Sequence, residues 1–418
     1  MMKNRGWAFA AALTVACVLP LWWSFLTSPP PTTEVKARVA AEVATPTTQT
    51  RFSPPNGGRE IRSLSIHPNG NDWLFVECVE RIHQRCDVMR YQLTTGRLYR
   101  YGLPEGFRYT YAHYSPQGRY IVMSRRTIPG DSEDEERRSL DESEIALMPS
   151  EGGVLAIIPA ARGNKLSPFM SLDETKIAFW RSARLVPPGR RVRLLEFDLW
   201  EFDLSSGTER PFSGLFEFVE GGQAQYVSDD EILLQSYGPF GLFADYHDRY
   251  GGSEIYRMRR GDGKVPVPCA FDGISHAELP SQDRAGHLCL QGQTRRHGLS
   301  VIRLSSQGVR QGWQLMPADS GSIFEPRELL CAPGGGYIAS IYMDQPSTRG
   351  NRLGGMALLD IATTTWSAIR LPAWADAQIV PVAVSSELGN REVKPQFLTV
   401  GVDDDARHLR NDPSRRND

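Results

Sequence analysis

A unit of about fifty residues recurs through most of this chain, and no other feature constrains the fold as strongly. Each copy opens on a small-polar or Pro/Gly turn, followed by a short apolar strand and a variable loop. A second apolar strand then ends in a polar turn, and a last strand follows. The first copy is SIHPNGNDWLFVECV with CDVMRYQLTTGRLYRY, the second HYSPQGRYIVMS with SEIALMPSEGGVLAII, the third FMSLDETKIAFWRS with FDLWEFDLSSGTERPF. YVSDDEILLQS with SEIYRMRRGDGKVPV, LPSQDRAGHLCLQG with GLSVIRLSSQGVRQGW, and CAPGGGYIASIY with GMALLDIATTTWSAI complete the set. The turns fall near Pro68, Pro116, Leu172, Asp229, Gln282 and Pro333. Gly, Asp, Asn and Ser supply the positive φ or the side-chain bonds that hairpin turns need. The strands between them are β-branched and aromatic. One four-stranded sheet cannot bury both of its faces, whereas a radial stack of such sheets can. The pattern predicts an all-β propeller with six clear four-stranded blades.

One further period predicts a turn near residue 386, where Ser385-Ser386-Glu387-Leu388-Gly389-Asn390 stands. IVPVAV before it and QFLTVGV after it read as the inner strands of a seventh unit. Its outer strands would come from the chain before residue 58, around Thr50–Ser53, giving a composite seventh blade that closes the ring. The propeller then spans residues 58–402, and the charged stretch 403–418 has no apolar periodicity and reads as a disordered tail.

The string YSPQGRYIVMS…SEIALMPSEGG resembles the repeat of TolB-like propellers, in which a Ser-Pro-Asp-Gly turn precedes an Ile-Ala-Phe-like strand. IAFW with FDLSSG, and SEIYRMRRGDG, are similar to the same repeat. The likeness runs over residues 60 to 370 or so and implies a propeller fold and export. It departs from the pattern in that only the second unit keeps both the Ser-Pro and the Gly. The tether described next leads directly into the first unit, so the resemblance is to the repeat and not to TolB itself.

The N-terminal segment bears on location. Trp7 to Thr27 is an almost continuous apolar run without charge, long enough as a helix to cross a bilayer core of roughly 30 Å. Lys3 and Arg5 precede it, which leaves residues 1–6 cytoplasmic and the rest outside. Residues 7–27 therefore read as a transmembrane signal anchor, with a cleaved signal peptide or a lipoprotein at Cys17 as rivals that export the chain equally. Residues 28–57, rich in Pro, Thr and Ala, read as a tether. By analogy with the TolB-like repeat, the expected location is the bacterial inner membrane, single-pass, with the propeller in the periplasm.

Catalytic signatures are missing from the sequence. It has no Gly-x-Ser-x-Gly, no phosphate-binding Gly-x-x-x-x-Gly-Lys-Ser/Thr and no His-Glu-x-x-His. Its eight histidines include no close ligand pair. No cofactor and no metal are expected, and a net charge of −2 gives no reason to expect nucleic acid. Cys78 and Cys86 fall on the two middle strands of the first unit and are placed to pair in an oxidising compartment. Cys269, Cys289 and Cys331 are an odd remainder, with Cys289 read as core.

The long insertions follow the second strand of their units, and strand alternation puts all of them on one face. The insertion of unit two is acidic, from Asp131 to Glu142, and reads as a solvated loop. That of unit three is basic, with Arg184, Arg190, Arg191 and Arg193, and that of unit six is polar. Unit four contributes Tyr237, Phe240, Phe243, Tyr246 and Tyr250. These aromatics either fold down as a lid on their own blade or form a binding rim, where Tyr, Phe and Arg are enriched anchors. The expected function is that of a non-enzymatic, membrane-anchored scaffold or accessory subunit that binds another envelope or membrane protein. The alternatives are an exported polysaccharide lyase or hydrolase, or a glycan or small-ligand sensor, with the site in the central funnel. A periplasm-only reporter fused after residue 57 is expected to be active, and the protein to stay in the membrane pellet through a carbonate wash. A soluble form lacking the first thirty residues would overturn the anchor but not export.

Overall fold

The computed structural model describes residues 59–384, apart from residues 80–85, 131, 159–162, 187–192, 214–217, 219–220, 237–253, 263–267, 296–297, 316–324 and 344–353. The apolar N-terminal run, the tether, the aromatic insertion, QFLTVGV and the charged tail all lie outside the described residues. Among the described residues no helix is long and apolar enough to cross a membrane.

The strands follow the repeat. Blade 1 is β1 (Arg59–Ile66), β2 (Asp72–Val79), β3 (Cys86–Gln92) and β4 (Arg97–Gly102); blade 2 is β5 (Phe107–Tyr114), β6 (Tyr120–Thr127), β7 (Glu144–Pro149) and β8 (Gly153–Ile157). Blade 3 is β9 (Leu166–Met170), β10 (Lys176–Val186), β11 (Arg193–Asp203) and β12 (Thr208–Pro211). Blade 4 has β13 (Ala224–Tyr226), β14 (Glu231–Ser236) and β15 (Glu254–Arg259), and among the described residues the bridge Tyr256↔Pro268 stands where a fourth strand would pair. Blade 5 is β16 (Ile274–Gln282), β17 (Leu288–Thr294), β18 (Gly298–Leu304) and β19 (Arg310–Gln314). Blade 6 is β20 (Glu325–Cys331), β21 (Tyr337–Met343), β22 (Gly354–Asp360) and β23 (Thr365–Ile369). Every pairing within a blade is antiparallel.

The middle strands are buried on both faces, so their apolar residues run continuously instead of alternating with polar ones. In Ile177-Ala178-Phe179-Trp180 of β10, Ile177 and Phe179 pack toward blade 2, while Ala178 and Trp180 pack toward blade 4. Six apolar layers result, each between two consecutive blades. The sixth joins the first blade to the last: Leu64, Trp73, Phe75 and Met89 pack with Ala339, Ile341, Met356 and Ile369. Each large side chain fully buried in such a layer is worth about 1.5–3 kcal/mol.

That layer corrects the expectation of a composite seventh blade. Blade 6 packs directly on blade 1 and leaves no gap for another sheet. The segment IVPVAV forms β24 (Gln378–Val384), which pairs in parallel first with β4 and then with β8. It therefore lies at the outer edges of blades 1 and 2, fusing them into one nine-stranded sheet, and is not an inner strand. The exchange of partners falls at Pro381 and Val382, where proline has no N–H to give a ladder. Gly152 makes room for the crossing: a Cβ there would stand 2.5 Å from Val380 Cγ1, and its φ is +91°.

Two insertions differ from the sequence reading. The acidic one is not a loop throughout, because Glu133–Asp141 form helix α1. Ser132 and Glu135 cap each other's backbone N–H groups in a capping box, which nucleates the helix. The basic one is largely an extension of the β10–β11 hairpin, with Arg184 opposite Leu195 and Arg193 opposite Val186.

Both middle strands of blade 1 carry a cysteine at the open end, and Cys78 and Cys86 are directly opposite in register and bonded. Cys289 on β17 is also bonded, to Cys331 at the end of β20 in the next blade, and Cys269 is free. The odd remainder thus resolves into one bridge between blades and one thiol. Non-reducing peptide maps should show both bridges. In the loop-entropy model the second, with a sequence separation of 42, contributes about 4 kcal/mol, and the first, with a separation of 8, about 2.5 kcal/mol. Cys331→Ala is therefore expected to lower the melting temperature more than Cys86→Ala; the reverse order would contradict this assignment.

Candidate functional site

In a propeller the first strand of each blade has a neighbour on one side only. Its other edge faces the central channel and carries unpaired N–H and C=O groups, which are costly to bury. Here side chains from the adjacent blade supply the partners. Ser63 Oγ on β1 both donates to Ala112 O and accepts from Ala112 N at 3.0 Å, and Ser65 Oγ accepts from Tyr114 N at 2.9 Å. Ser124 Oγ donates to Lys165 O at 2.7 Å, from blade 2 to blade 3. Gln225 Nε2 donates to Gln282 O at 3.1 Å, from blade 4 to blade 5. Gln223 Nε2 reaches two blades at once, donating to Pro280 O and Leu329 O at 3.0 Å each. Ser281 Oγ accepts from Cys331 N at 3.1 Å, and Glu328 Oε2 completes the circuit by accepting from Leu64 N at 2.5 Å. Between blades 3 and 4 the link is aromatic, Phe169 on Tyr226 with ring centroids 5.5 Å apart.

Toward the strand 1–2 turns the channel opens into a cavity of about 400 Å³. Each blade contributes one equivalent wall residue: Ser65, His113, Phe169, Gln225, Ser281 and Leu330. Arg284 crosses the mouth from blade 5 to the opposite blade, donating to Pro116 O at 2.8 Å. Two ionisable groups are found near this cavity: His113 is one of its wall residues, and Glu328 lies two residues before the wall residue Leu330 on β20. His113 stacks on Tyr111 at 4.8 Å, its Nε2 has no hydrogen-bond partner, and burial lowers its pKa to about 4. Burial raises the Glu328 carboxyl to about 8, outweighing the donors Leu64 N–H and Ser63 N–H. At neutral pH the His113 imidazole is therefore neutral.

At the turn face, His287 Nδ1 donates to Asp283 Oδ2 at 2.8 Å, and Arg303 Nη2 lies 3.2 Å from the same oxygen. Asp283 Oδ1 accepts from the N–H groups of Ala285 and His287, both at 2.9 Å. Burial alone would raise this carboxyl, but the His287 and Arg303 donors hold it below its ordinary value. All of these contacts close the blade-5 turn, which makes the trio a structural clasp. Among the described residues no three His, Cys, Asp or Glu side chains gather as a metal site.

Of the residues singled out from sequence, Tyr237, Phe240, Phe243, Tyr246, Tyr250, Arg190 and Arg191 lie outside the described residues. Arg184 and Arg193 share the far end of one hairpin. The wall residues were not singled out, yet the repeat phase points to them. Counting back three from Pro68, Pro116, Leu172 and Pro333 gives Ser65, His113, Phe169 and Leu330.

No family model matches the sequence, and no curated protein does. Among solved structures the chain is similar to TolB from Acinetobacter baumannii, at TM-score 0.46 and 15% identity, over 78% of this chain and 67% of that one. It is similar to an oligogalacturonate lyase from Vibrio parahaemolyticus, at TM-score 0.46 and 11% identity, over 76% and 80% of the two chains. A puromycin-hydrolyzing peptidase from Mycobacterium tuberculosis gives TM-score 0.45 and 12% identity, over 79% of this chain and 58%, less than two thirds, of that one.

The two buried groups make opposite contributions to stability against pH. Glu328 is an acid raised from 4.5 to about 8, so its contribution is full below that window and lost as pH rises through it. His113 is lowered from 6.5 to about 4, so its contribution is present above 6.5 and lost as pH falls toward 4. Melting temperatures measured across pH should show Glu328→Gln flattening the limb that falls from 4.5 up to about 8, and His113→Gln the limb that falls from 6.5 down to about 4. Unchanged limbs in either variant would refute the corresponding assignment.

Proposed function

We propose that this chain is a non-enzymatic, membrane-anchored periplasmic propeller that binds another envelope protein through its insertion face. One observation carries the reading: the polar side chains of the channel are engaged in stitching the inner strands together. Gln223, Gln225, Ser281 and Glu328 are bonded to neighbouring backbones, and Arg284 straps the mouth. That leaves the insertions as the adaptable surface. Helix α1 and the extended β10–β11 hairpin both connect a second strand to a third, so they emerge on the same face, and residues 237–253 hold the corresponding place in the sequence, between β14 and β15.

A second reading, a small-ligand or catalytic site in the channel, is favoured by the unpartnered Nε2 of His113, a residue that lines the cavity. For the aromatics of the fourth insertion, the binding-rim and lid readings separate in one variant. Changing Tyr237, Phe240, Phe243 and Tyr250 together to Ser should abolish recovery of the partner cross-linked to the membrane-anchored form, with little change in melting temperature. Anchor side chains often cost more than about 2 kcal/mol each, so losing even two weakens binding over a hundredfold. If the aromatics instead pack on their own blade, each truncation costs about 3–5 kcal/mol and the protein melts early. Early melting sinks the rim reading, as does undiminished recovery of the partner.

A further inference from the structure

Arg108 on β5 and Arg126 on β6 are directly opposite in antiparallel register, which sets both guanidinium groups on one face of blade 2. They stand near the start of one strand and the end of the other, at the insertion face. Arg108 is 7% exposed, yet its Nε has no hydrogen-bond partner, and neither do Nε and Nη1 of Arg126. Arg62, near the start of the neighbouring inner strand β1, adds a third positive charge that acts on both.

Among the described residues no carboxylate lies within ion-pair distance of Arg108 or Arg126. Glu60 is taken by Arg62 at 2.6 Å, and Glu144 by Arg125 at 2.8 Å. Glu136 on α1 acts on the pair only at longer range. Burial, followed by the charges of Arg126 and Arg62, lowers the Arg108 pKa to about 10. Like charges opposite one another in a sheet repel, and buried guanidinium groups without partners cost stability. The fold therefore carries a concentrated, desolvated donor set, three guanidinium groups that the charges of Glu60 and Glu136 offset only in part. Planar guanidinium forks match the oxygens of carboxylates and phosphates, and an oxyanion bound beside them would relieve the repulsion.

We propose that Arg62, Arg108 and Arg126 form a binding site for an oxyanion, a phosphate or carboxylate group, at the insertion-face end of blades 1 and 2. The full-length protein in detergent is titrated with inorganic phosphate, and separately with malonate, at ionic strength held constant with sodium chloride. Thermal unfolding and calorimetry are the readouts. A saturable rise in melting temperature with either anion is expected, and the anion that binds more tightly distinguishes a phosphoryl from a carboxylate ligand. Arg126→Gln should weaken binding at least about tenfold, while melting no lower than the parent in the absence of anion. Arg62→Gln, at a side chain 34% exposed and not needed for packing, should weaken it to a similar extent. No saturable response in the parent, or the same response in Arg126→Gln or Arg62→Gln, overturns the site. If Arg126→Gln fails to accumulate, the Arg62→Gln comparison decides alone.

Discussion

The unpaired inner edge of each blade's first strand is the constraint on which the rest of this structure depends. A sheet edge that faces a narrow channel cannot be left to solvent in the way an outer edge can. The chain meets this by placing a short polar side chain at corresponding positions of successive blades and aiming it at the next blade's backbone. Ser63, Ser65, Gln225 and Ser281 do this with little bulk, and Glu328 does it at the seam between blades 6 and 1. Phe169 has no donor and substitutes an aromatic contact. Each such bond contributes modestly, about 0.5–1.5 kcal/mol net, but leaving the backbone group unpaired would cost more.

The blades were legible because their signal is local: a turn residue, an apolar run and a second turn, repeated with nearly constant spacing. The burial of both faces of β10 could be read from Ile177-Ala178-Phe179-Trp180, where no polar alternation interrupts the run. The Cys78–Cys86 bridge was equally legible, since both residues flank one hairpin. The Cys289–Cys331 bridge was hidden because it depends on which strand of blade 6 packs on which strand of blade 5, a relation between units. The channel wall was half legible. The count from the turns works where the turn closes as His67 N–H to Asp72 O, five residues on. It fails in blades 4 and 5 because Asp229 and Gln282 are not the equivalent turn residues: the turns there open at Val227 and Asp283, two residues after Gln225 and Ser281, the same offset as in the other blades.

Periodicity misled at the C-terminus for a related reason. Residues 379–384 have the composition of an inner strand and fall at the right spacing, so a seventh unit is the natural extrapolation. Spacing, however, says nothing about whether the ring has room, and room was decided by the fit of Trp73 and Phe75 against Ala339 and Ile341. With that layer in place the segment following blade 6 pairs elsewhere, burying Val380 while Ile379 and Val384 stay exposed. The exposed outer edges of β4 and β8 offered it unpaired backbone groups on two blades.

That placement bears on how the ring stays shut. A propeller whose last blade is built from one chain segment meets its first blade through packing alone, and the seam is then its weakest interface. Three devices converge on this one. Glu328 bonds Leu64 N–H across the inner edge. Farther out, Trp73 Nε1 donates to Tyr337 Oη at 2.9 Å, and Tyr337 donates on to Gly70 O at 2.6 Å. Beyond β23 the chain crosses the seam itself: Trp374 packs into the layer between the two blades, donates to Asp87 at 3.2 Å and lies under the Arg100 guanidinium at 4.2 Å. It then continues as β24 along blade 1 and onto blade 2, where Val380 enters the apolar layer between them. Opening the seam would therefore require peeling β24 from two sheets as well as separating two apolar faces. The strand that does not complete a blade serves instead to hold the first and last blades together.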